Sequence, residues 1–189
     1  MIGKIFITRH GYDPQLGKHV KDPYLGKNPS IGACRPDIRR ILHRGDHLFV
    51  ISGKVSGANQ FVMGGFEVAD KIPAIEAYYD FPEQRLRKLP NGELAGNIIV
   101  NDMGMQHSLD NHDKFERRVQ NYVVGTNPLA LETDAEISCG RNQTMEVLCE
   151  IFKQKAVTPI ELLGRNSRNL NEGQVKDLRN WLSSIKSGH

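Results

Sequence analysis

The spacing of apolar residues changes along this chain, and each spacing predicts an element. Apolar side chains on alternating faces of KIFITRH (4–10) predict an N-terminal strand. The nearly continuous apolar run LFVIS (48–52) predicts a strand buried on both faces, and apolar residues resume in QFVMGGFEVA (60–69). Two later runs also predict strands, GNIIVNDMG (96–104) and NYVVGTNP (121–128). The chain up to about residue 128 is therefore predicted to be rich in β-structure.

A short basic helix is predicted before the buried strand. Pro36 suits a first helical position, where the missing N–H costs nothing, and Asp37 lies near the positive end of the helix. Ile38, Ile41 and Leu42 follow at the i, i+3, i+4 spacing of one apolar stripe. The remaining positions predict a basic face directed away from that stripe: Arg39, Arg40, His43 and Arg44.

Helical spacing dominates the end of the chain. RNQTMEVLCEIFKQK (141–155) and NEGQVKDLRNWLSSIKS (171–187) each place their apolar residues on one face. In the second segment Asn171 is the expected N-cap, with Gln174 three residues later. Trp181 has the spacing of a core residue in that helix.

One domain is predicted over residues 1–189. A length of 189 residues is typical of one domain, and 39% hydrophobic with 25% charged residues is typical of a globular protein. No repeat, low-complexity tract or linker interrupts the sequence. VTPIELLG (157–164) predicts a final edge strand, because Pro159 cannot donate a hydrogen bond within a ladder.

The overall charge says little about partners, whereas the local charge says more. Lys and Arg number 25 against 22 Asp and Glu, and a net charge of +3 does not identify a nucleic-acid partner. Residues 35–44, however, carry four arginines against one aspartate, and Arg85, Arg87 and Lys88 form a second cluster. Such clusters attract phosphate backbones. A merely solvated surface is the alternative interpretation.

Cysteine usage and the absence of export signals favour a cytoplasmic protein. Cys34, Cys139 and Cys149 are widely spaced and form no CxxC pair, so we expect three reduced thiols. No apolar run approaches the ~18 residues of a membrane span, and the N-terminus lacks a signal-peptide apolar region. We therefore expect a cytoplasmic location and no membrane partner.

No motif indicates a cofactor or a metal. A P-loop, a G-x-G-x-x-G after a strand and a G-x-S-x-G are all missing, which weakens any dinucleotide-using or nucleotide-hydrolysing function. His107, Asp110, His112 and Asp113 match no known ligand spacing. Their residue types suit a turn and an N-cap before residues 114–122.

Several short segments occur in a recognisable order. Residues 33–88 contain ACRPDIRR, GD, SG, GGFEV and YYDFPEQRLRK. This order resembles the second nucleotide-modification-associated domain family of phages and bacteria, in the EVE and ASCH branch of the PUA-like superfamily. The likeness continues more weakly over 96–127. It implies an α+β fold, with a small mixed PUA/EVE-like β-barrel at about 3–127, flanking helices and a helical C-terminal extension at about 128–187.

The resemblance implies a nucleic-acid-binding module that recognises a modified nucleobase in DNA, associated with base modification or phage–host conflict. The arginines of residues 35–44 would hold phosphates. An extruded base would enter between the first loop (11–30), the start of the basic helix and the Ser52–Gly53 turn. Tyr79 would stack on bases, whereas Phe81 is expected in the core. The predicted nucleic-acid-binding residues are Arg9, His10, Cys34, Arg35, Arg39, Arg40, Arg44, Ser52, Gly53 and Tyr79.

Two other functions stay open at this point. Thr-Arg-His-Gly after the first strand resembles the signature of the histidine phosphatase superfamily, which implies a phosphoester- or nucleotide-processing enzyme. His10 would then be the nucleophile and Arg9 would bind phosphate, although no second Arg or His motif of that superfamily follows. The third alternative is a domain that binds a protein partner in a modification or defence system.

Overall fold

The computed structural model describes residues 2–16, 20–164 and 167–188. The strands are β1 (Gly3–Ile7), β2 (Ser30–Ile31), β3 (His47–Ile51), β4 (Val62–Ile72), β5 (Arg87–Lys88), β6 (Leu94–Ala95), β7 (Tyr122–Ala130) and β8 (Ser167–Leu170). The α-helices are α1 (Pro36–Ile41), α2 (Ala74–Asp80), α3 (Glu116–Val119), α4 (Asp134–Phe152), α5 (Pro159–Leu163) and α6 (Glu172–Lys186). Residues 17–19 of the predicted first loop lie outside the described residues.

Six strands form one mixed sheet in the order β2, β7, β4, β3, β1, β8, and β5 pairs with β6 separately. β1 is parallel to β3, whereas β3–β4, β1–β8 and β2–β7 are antiparallel. The prediction of an α+β fold is confirmed. The predicted small mixed β-barrel is not formed by the described residues, because β2 and β8 are the open edges of the sheet. A closed barrel requires the two edge strands to pair with each other. These strands, β2 and β8, have only two and four residues.

The chain divides into two compact units that alternate along the sequence. The first unit comprises Met1–Val20, Gly45–Glu67 and Asn127–His189, and the second comprises Lys21–Arg44 and Val68–Thr126. The first unit contains β1, β3, β8, α4, α5 and α6, whereas the second contains β2, β5, β6, α1, α2 and α3. β4 and β7 contribute residues to both. The single domain over residues 1–189 stays a prediction.

In the first unit, β3 is buried along its whole length, as its apolar run predicts. α6 begins with the predicted capping box, in which Asn171 Oδ1 accepts from the Gln174 N–H at 2.9 Å. Trp181 differs from its prediction, since the ring is only half-buried. The Trp181 Nε1 donates to Gln143 Oε1 at 2.9 Å, so the indole N–H of α6 is hydrogen-bonded to a side chain of α4.

The edge strand predicted at 157–164 is wrong, because this segment forms α5. Pro159 occupies the first turn of the helix, where a proline lacks no needed hydrogen bond. Thr158 Oγ1 donates to Glu161 Oε1 at 2.7 Å, which supports the helix start. The edge of the sheet is formed instead by β8, which pairs with β1.

In the second unit, α1 begins at Pro36 as predicted, but its faces differ from the prediction. Ile38 and Leu42 are buried, whereas Ile41 is 48% exposed. Arg39, predicted on the exposed basic face, is fully buried. The helix has only six residues, and Leu42 already has extended backbone angles, so the i, i+3, i+4 stripe does not continue past the helix end.

The strand predicted at 121–128 is confirmed as β7, whereas the strand predicted at 96–104 is not formed. In that segment Ile98 and Val100 make only isolated bridges, to Arg85 and Gln106. No described strand runs beside this segment for more than one residue pair. Ile98, Ile99 and Val100 are buried nevertheless, so the apolar run reflects core packing rather than strand pairing.

Within the described ranges, no helix is both long and apolar enough to span a bilayer.

Candidate functional site

Arg39 has a structural role that excludes it from phosphate binding. Its Nε donates to Cys34 O at 2.8 Å and its Nη2 donates to Ala33 O at 3.3 Å. Its Nη1 donates to Asn121 O. Burial lowers the pKa of the guanidinium, and the neighbouring Asp22 carboxylate opposes that effect. The predicted contact of Arg39 with phosphate is therefore wrong, because backbone carbonyl groups already hold its donors.

Asp22 fixes the chain just before α1. Its Oδ1 accepts from the Gly32 N–H at 2.8 Å and from Asn97 Nδ2 at 3.1 Å. Its Oδ2 accepts from the Ala33 N–H at 2.9 Å and from the Cys34 N–H. Gly32 is needed here, because a Cβ would lie 2.4 Å from Asn97 O. These bonds hold the start of the basic helix in one position, and none of them was foreseen from the sequence.

Cys34 lies at this same point as a half-buried thiol. Burial raises the pKa of the Cys34 thiol, and the Asp22 carboxylate raises it further. The thiol is therefore protonated at neutral pH. This matches the role of a small packed side chain better than that of a reactive group in a pocket.

The other three arginines of residues 35–44 differ in their availability. Arg35 holds Asp37 in a two-pronged ion pair, with Nε to Oδ1 at 3.0 Å and Nη2 to Oδ2 at 2.8 Å. Arg40 and Arg44 are exposed, and their guanidinium groups meet no carboxylate among the described residues. Lys71 Nζ donates to Arg40 O at 3.1 Å and adds a third cation. Arg40 and Arg44 are thus the two arginines of this segment that can meet a phosphate.

A second basic segment follows α2. Arg85 is half-buried, with its guanidinium 4.0 Å from the centre of the Tyr78 ring and its Nε bonded to Tyr78 O at 2.8 Å. Arg87 and Lys88 form β5 and are exposed. Arg87 Nη1 donates to the backbone oxygens of Glu83 and Arg85, at 2.5 and 3.3 Å. This segment therefore offers two exposed cations rather than three.

Tyr79 and Phe81 lie on the sides expected of them. The Tyr79 side chain is exposed and meets the Tyr78 ring edge-on, with centroids 5.4 Å apart. Its hydroxyl donates to Asp102 O at 2.8 Å. Phe81 stacks on the buried Tyr122 ring at 6.4 Å between centroids. Tyr79 can contact a ligand, whereas Phe81 belongs to the core.

In the first unit, the loops after β1 and β3 lie side by side, because parallel strands end at the same edge of a sheet. Gly53 N–H donates to Tyr12 O at 2.6 Å, and Gly11 N–H donates to Lys54 O at 3.0 Å. A Cβ on Gly53 would lie 2.0 Å from Arg9 O, so only glycine fits. Gly53 therefore allows the backbones of the loops after β1 and β3 to approach each other closely.

The side chains on these two loops divide into buried and exposed groups. Ser52 is buried, and its Oγ accepts from the Phe61 N–H at 3.1 Å. Arg9 and His10 are exposed, and neither side chain makes a hydrogen bond within the described ranges. Among residues 2–16, 20–164 and 167–188, no second histidine or arginine is hydrogen-bonded to His10. Arg9 and His10 are thus available to a ligand, and the phosphatase-like alternative stays a prediction.

An ion pair that the sequence did not indicate holds the loops after β1 and β3 to α4. Arg141 Nη2 lies 2.6 Å from Oδ1 of the buried Asp13. Arg141 also donates to Gln15 Oε1 at 2.8 Å and to Asn59 O at 2.6 Å, and its guanidinium lies 4.5 Å from the Phe61 ring centre. Asp13 and Arg141 are 128 residues apart, so no local pattern could identify them.

The region around His112 is a local turn. His112 Nδ1 lies 2.5 Å from Asp110 Oδ1. The N-cap predicted there is wrong, because α3 begins only at Glu116 and has no side-chain cap. Among the residues that the structure describes, no three or more His, Cys, Asp or Glu side chains are placed to hold a metal ion.

The predicted site residues fall into two groups, one in each unit. Arg9, His10, Ser52 and Gly53 lie together in the first unit, whereas the second contains Cys34, Arg35, Arg39, Arg40, Arg44 and Tyr79. Of these, five side chains are exposed: Arg9, His10, Arg40, Arg44 and Tyr79. The chain matches no protein-family model, no curated protein and no solved structure.

Proposed function

We propose that this protein is a nucleic-acid-binding module that recognises a modified nucleobase in DNA. The observation that carries the proposal is the pair Arg40 and Arg44, which are exposed and have no acidic partner among the described residues. A guanidinium without an internal partner can give a two-pronged hydrogen bond to a phosphate oxygen pair. Phosphate contacts of this kind supply affinity and orientation.

The backbone beneath these arginines is well fixed, which favours binding. Asp22 holds the N–H groups just before α1, and Arg39 ties the helix to three carbonyl oxygens. Arg40 lies in this helix, and because the helix is already ordered, less conformational entropy is lost when Arg40 meets a phosphate. Arg87 and Lys88 of the same unit are the next candidates, since both are exposed.

We propose that side chains of the loop after β1 determine which base the protein recognises. Arg9 and His10 are exposed, and their side chains make no hydrogen bond to another residue that the structure describes. An imidazole and a guanidinium both stack on bases and bond to base edges. The neighbouring Gly53 and Arg141 contacts hold this loop in place, so its side chains start from a defined position.

We also propose membership of the second nucleotide-modification-associated domain family, within the PUA-like superfamily. The order α1, β3, β4, α2 follows the order of the family-like segments ACRPDIRR, SG, GGFEV and YYDFPEQR. The open sheet would then be a departure from the closed barrel of that superfamily. The setting implied is phage or bacterial base modification in the cytoplasm.

Equilibrium binding tests the proposal directly. Labelled short duplexes and single strands would carry plain, methylated, hydroxymethylated or glucosylated bases and be titrated across a salt series. We expect tighter binding to one modified base, with a salt slope that all probes share. Absence of binding to every probe at low salt would overturn the proposal.

Variants with reversed charges at Arg40 and Arg44 test whether these two side chains contact phosphates. Arg40→Glu with Arg44→Glu is expected to weaken binding to all probes about equally and to lower the salt slope by about two. Lys155→Glu with Lys176→Glu is the matched control, because both lysines are exposed and lie in the other unit. Equal losses in the two double variants would mean that Arg40 and Arg44 make no specific contact.

A further inference from the structure

The second unit carries an exposed apolar surface that the proposed function does not use. Tyr79 is 60% exposed, Met103 is 70% exposed and Met105 is 53% exposed. We call these three side chains the Met–Tyr surface. Scattered exposed apolar residues are ordinary, but a contiguous group of large ones marks a binding surface more often.

The three residues belong to two segments that are in contact, because the loop at 101–105 packs on α2. The Tyr79 hydroxyl donates to Asp102 O at 2.8 Å, which ties the helix to the loop. A Cβ on Gly104 would lie 3.8 Å from the Ile75 side chain, so the loop backbone is in contact range of the helix. Met103 follows Asp102 and Met105 follows Gly104, so both methionines belong to the loop segment that contacts α2.

The backbone of this loop is held rigid by its own hydrogen bonds. Asn101 Oδ1 accepts from the N–H groups of Met103 at 3.0 Å and Met105 at 2.9 Å. Asn101 N–H donates to Met105 O at 2.9 Å, and Gly104 N–H donates to Asn101 O at 3.0 Å. Gly104 has φ +75°, which favours glycine. Two flexible methionine side chains thus stand on a fixed frame, an arrangement that adapts to a partner at low backbone cost.

The two segments that carry the Met–Tyr surface also carry exposed carboxylates. Glu76 and Asp80 are exposed and lie three residues before and one residue after Tyr79, on the same side of α2. Asp102 is exposed and precedes Met103. Neither α2 nor residues 101–105 contain a lysine or arginine, and the nearby Arg85 is already engaged over the Tyr78 ring. Glu76, Asp80 and Asp102, which we call the acidic rim, are therefore the charged side chains of these two segments.

We infer that the Met–Tyr surface docks a cationic, apolar peptide segment of a protein partner. Apolar side chains of the segment would cover Tyr79, Met103 and Met105, and its Lys or Arg residues would meet Glu76, Asp80 and Asp102. The same three carboxylates repel phosphates, so nucleic acid is a poor occupant. The inference stands independently of the nucleic-acid function, since it uses none of Arg9, His10, Arg40 and Arg44.

The first experiment selects ligands without assuming a partner. A phage-displayed library of random 12-residue peptides is selected on the full chain. We expect enriched peptides that alternate Lys or Arg with large apolar residues. Failure to enrich any motif, or enrichment of peptides without basic residues, would overturn the inference.

The second experiment locates the binding by methionine methyl NMR. The most enriched peptide is added to protein labelled with ¹³C at its methionine methyl groups. The Met103 and Met105 signals are expected to shift, while Met63 stays unchanged because it is buried in β4. A short single-stranded DNA in place of the peptide is expected to leave Met103 and Met105 unchanged. Unmoved signals with the peptide, or shifted ones with DNA, would each overturn the inference.

Neutralising variants test the acidic rim. Glu76→Gln, Asp80→Asn and Asp102→Asn together are expected to weaken peptide binding about tenfold. The control replaces Glu150, Glu172 and Asp177, exposed carboxylates of the other unit, by the matching amides. All variants are compared by thermal unfolding to confirm that they fold. Equal peptide affinity in the rim variant and the control would mean that the carboxylates play no part.

Discussion

The Arg39 guanidinium donates from Nε to the carbonyl oxygen of Cys34 at 2.8 Å, and the whole Arg39 side chain is buried. The next residue, Arg40, is exposed and offers its side chain to solvent. Two adjacent arginines in one short helix therefore have opposite roles. Arg39 holds the second unit together, and Arg40 is available to a partner.

Replacement of these two arginines by methionine is expected to separate stability from binding. Arg39→Met removes the donors of three carbonyl oxygens and should lower the free energy of unfolding by about 3–5 kcal/mol. Arg40→Met should change it by no more than about 0.5 kcal/mol. Urea unfolding followed by circular dichroism measures both values. Similar losses in the two variants would contradict the structural role of Arg39.

The Cys34 thiol is expected to react slowly in the folded protein. Burial and the Asp22 carboxylate raise its pKa, and the thiolate is the reactive form. Cys139→Ser with Cys149→Ser leaves Cys34 as the single thiol. At pH 8 its modification by an aromatic disulfide reagent should be at least about tenfold slower than in the urea-unfolded chain. Equal rates would show that the folded protein neither shields the thiol nor favours its protonated form more than the unfolded chain does.

The buried His47 ring gives the first unit a specific pH dependence. Neither ring nitrogen makes a hydrogen bond within the described residues. Burial lowers the pKa of His47, and the positive charge of Arg179 lowers it further, while Glu67 and Asp46 oppose the shift. The unfolded chain therefore takes up a proton near pH 6.5, before the folded protein does. Stability should be complete above that pH and should fall as the pH drops toward the lower folded pKa.

Urea unfolding between pH 5.0 and 7.5 measures this dependence, with a slope of at most about 1.4 kcal/mol per pH unit from one proton. His47→Phe should flatten the curve between pH 5.5 and 6.5. His10→Ala is the control, since His10 is exposed and should leave the slope unchanged. A slope that persists in His47→Phe would assign the proton uptake to another group.

Elements whose ends depend on near neighbours could be predicted from the sequence. The Asn171–Gln174 capping box of α6 and the start of α1 at Pro36 both follow from residues within one turn. The apolar run at 48–51 predicts β3 equally clearly, because four consecutive apolar residues are typical of a strand buried on both faces. The segment at 157–164 was ambiguous, since a short apolar run fits a strand or a helix, and Pro159 suits an edge strand or a first helical turn.

The roles of site residues depended on contacts that are distant in sequence. The Arg39 guanidinium donates to Asn121 O, 82 residues away. Helical spacing alone predicts an exposed position for Arg39, because it carries no information about this distant partner. Closure of the sheet likewise depends on whether β2 and β8 pair, and neither short segment signals its partner. Arg40 and Tyr79 were placed on the surface correctly, because no buried group competes for them.

The Asp13–Arg141 pair should stabilise the first unit through coupling of its two charges. Asp13 is buried, and its Oδ2 makes no hydrogen bond among the described residues, so loss of Arg141 leaves an uncompensated charge. Arg141→Met should therefore cost about 3 kcal/mol of unfolding free energy. Asp13→Asn with Arg141→Met should cost less than the sum of the two single changes, which a double-mutant cycle by urea unfolding measures. Additive losses would mean that the pair interacts weakly and that Arg141 stabilises mainly through Asn59 O and the Phe61 ring.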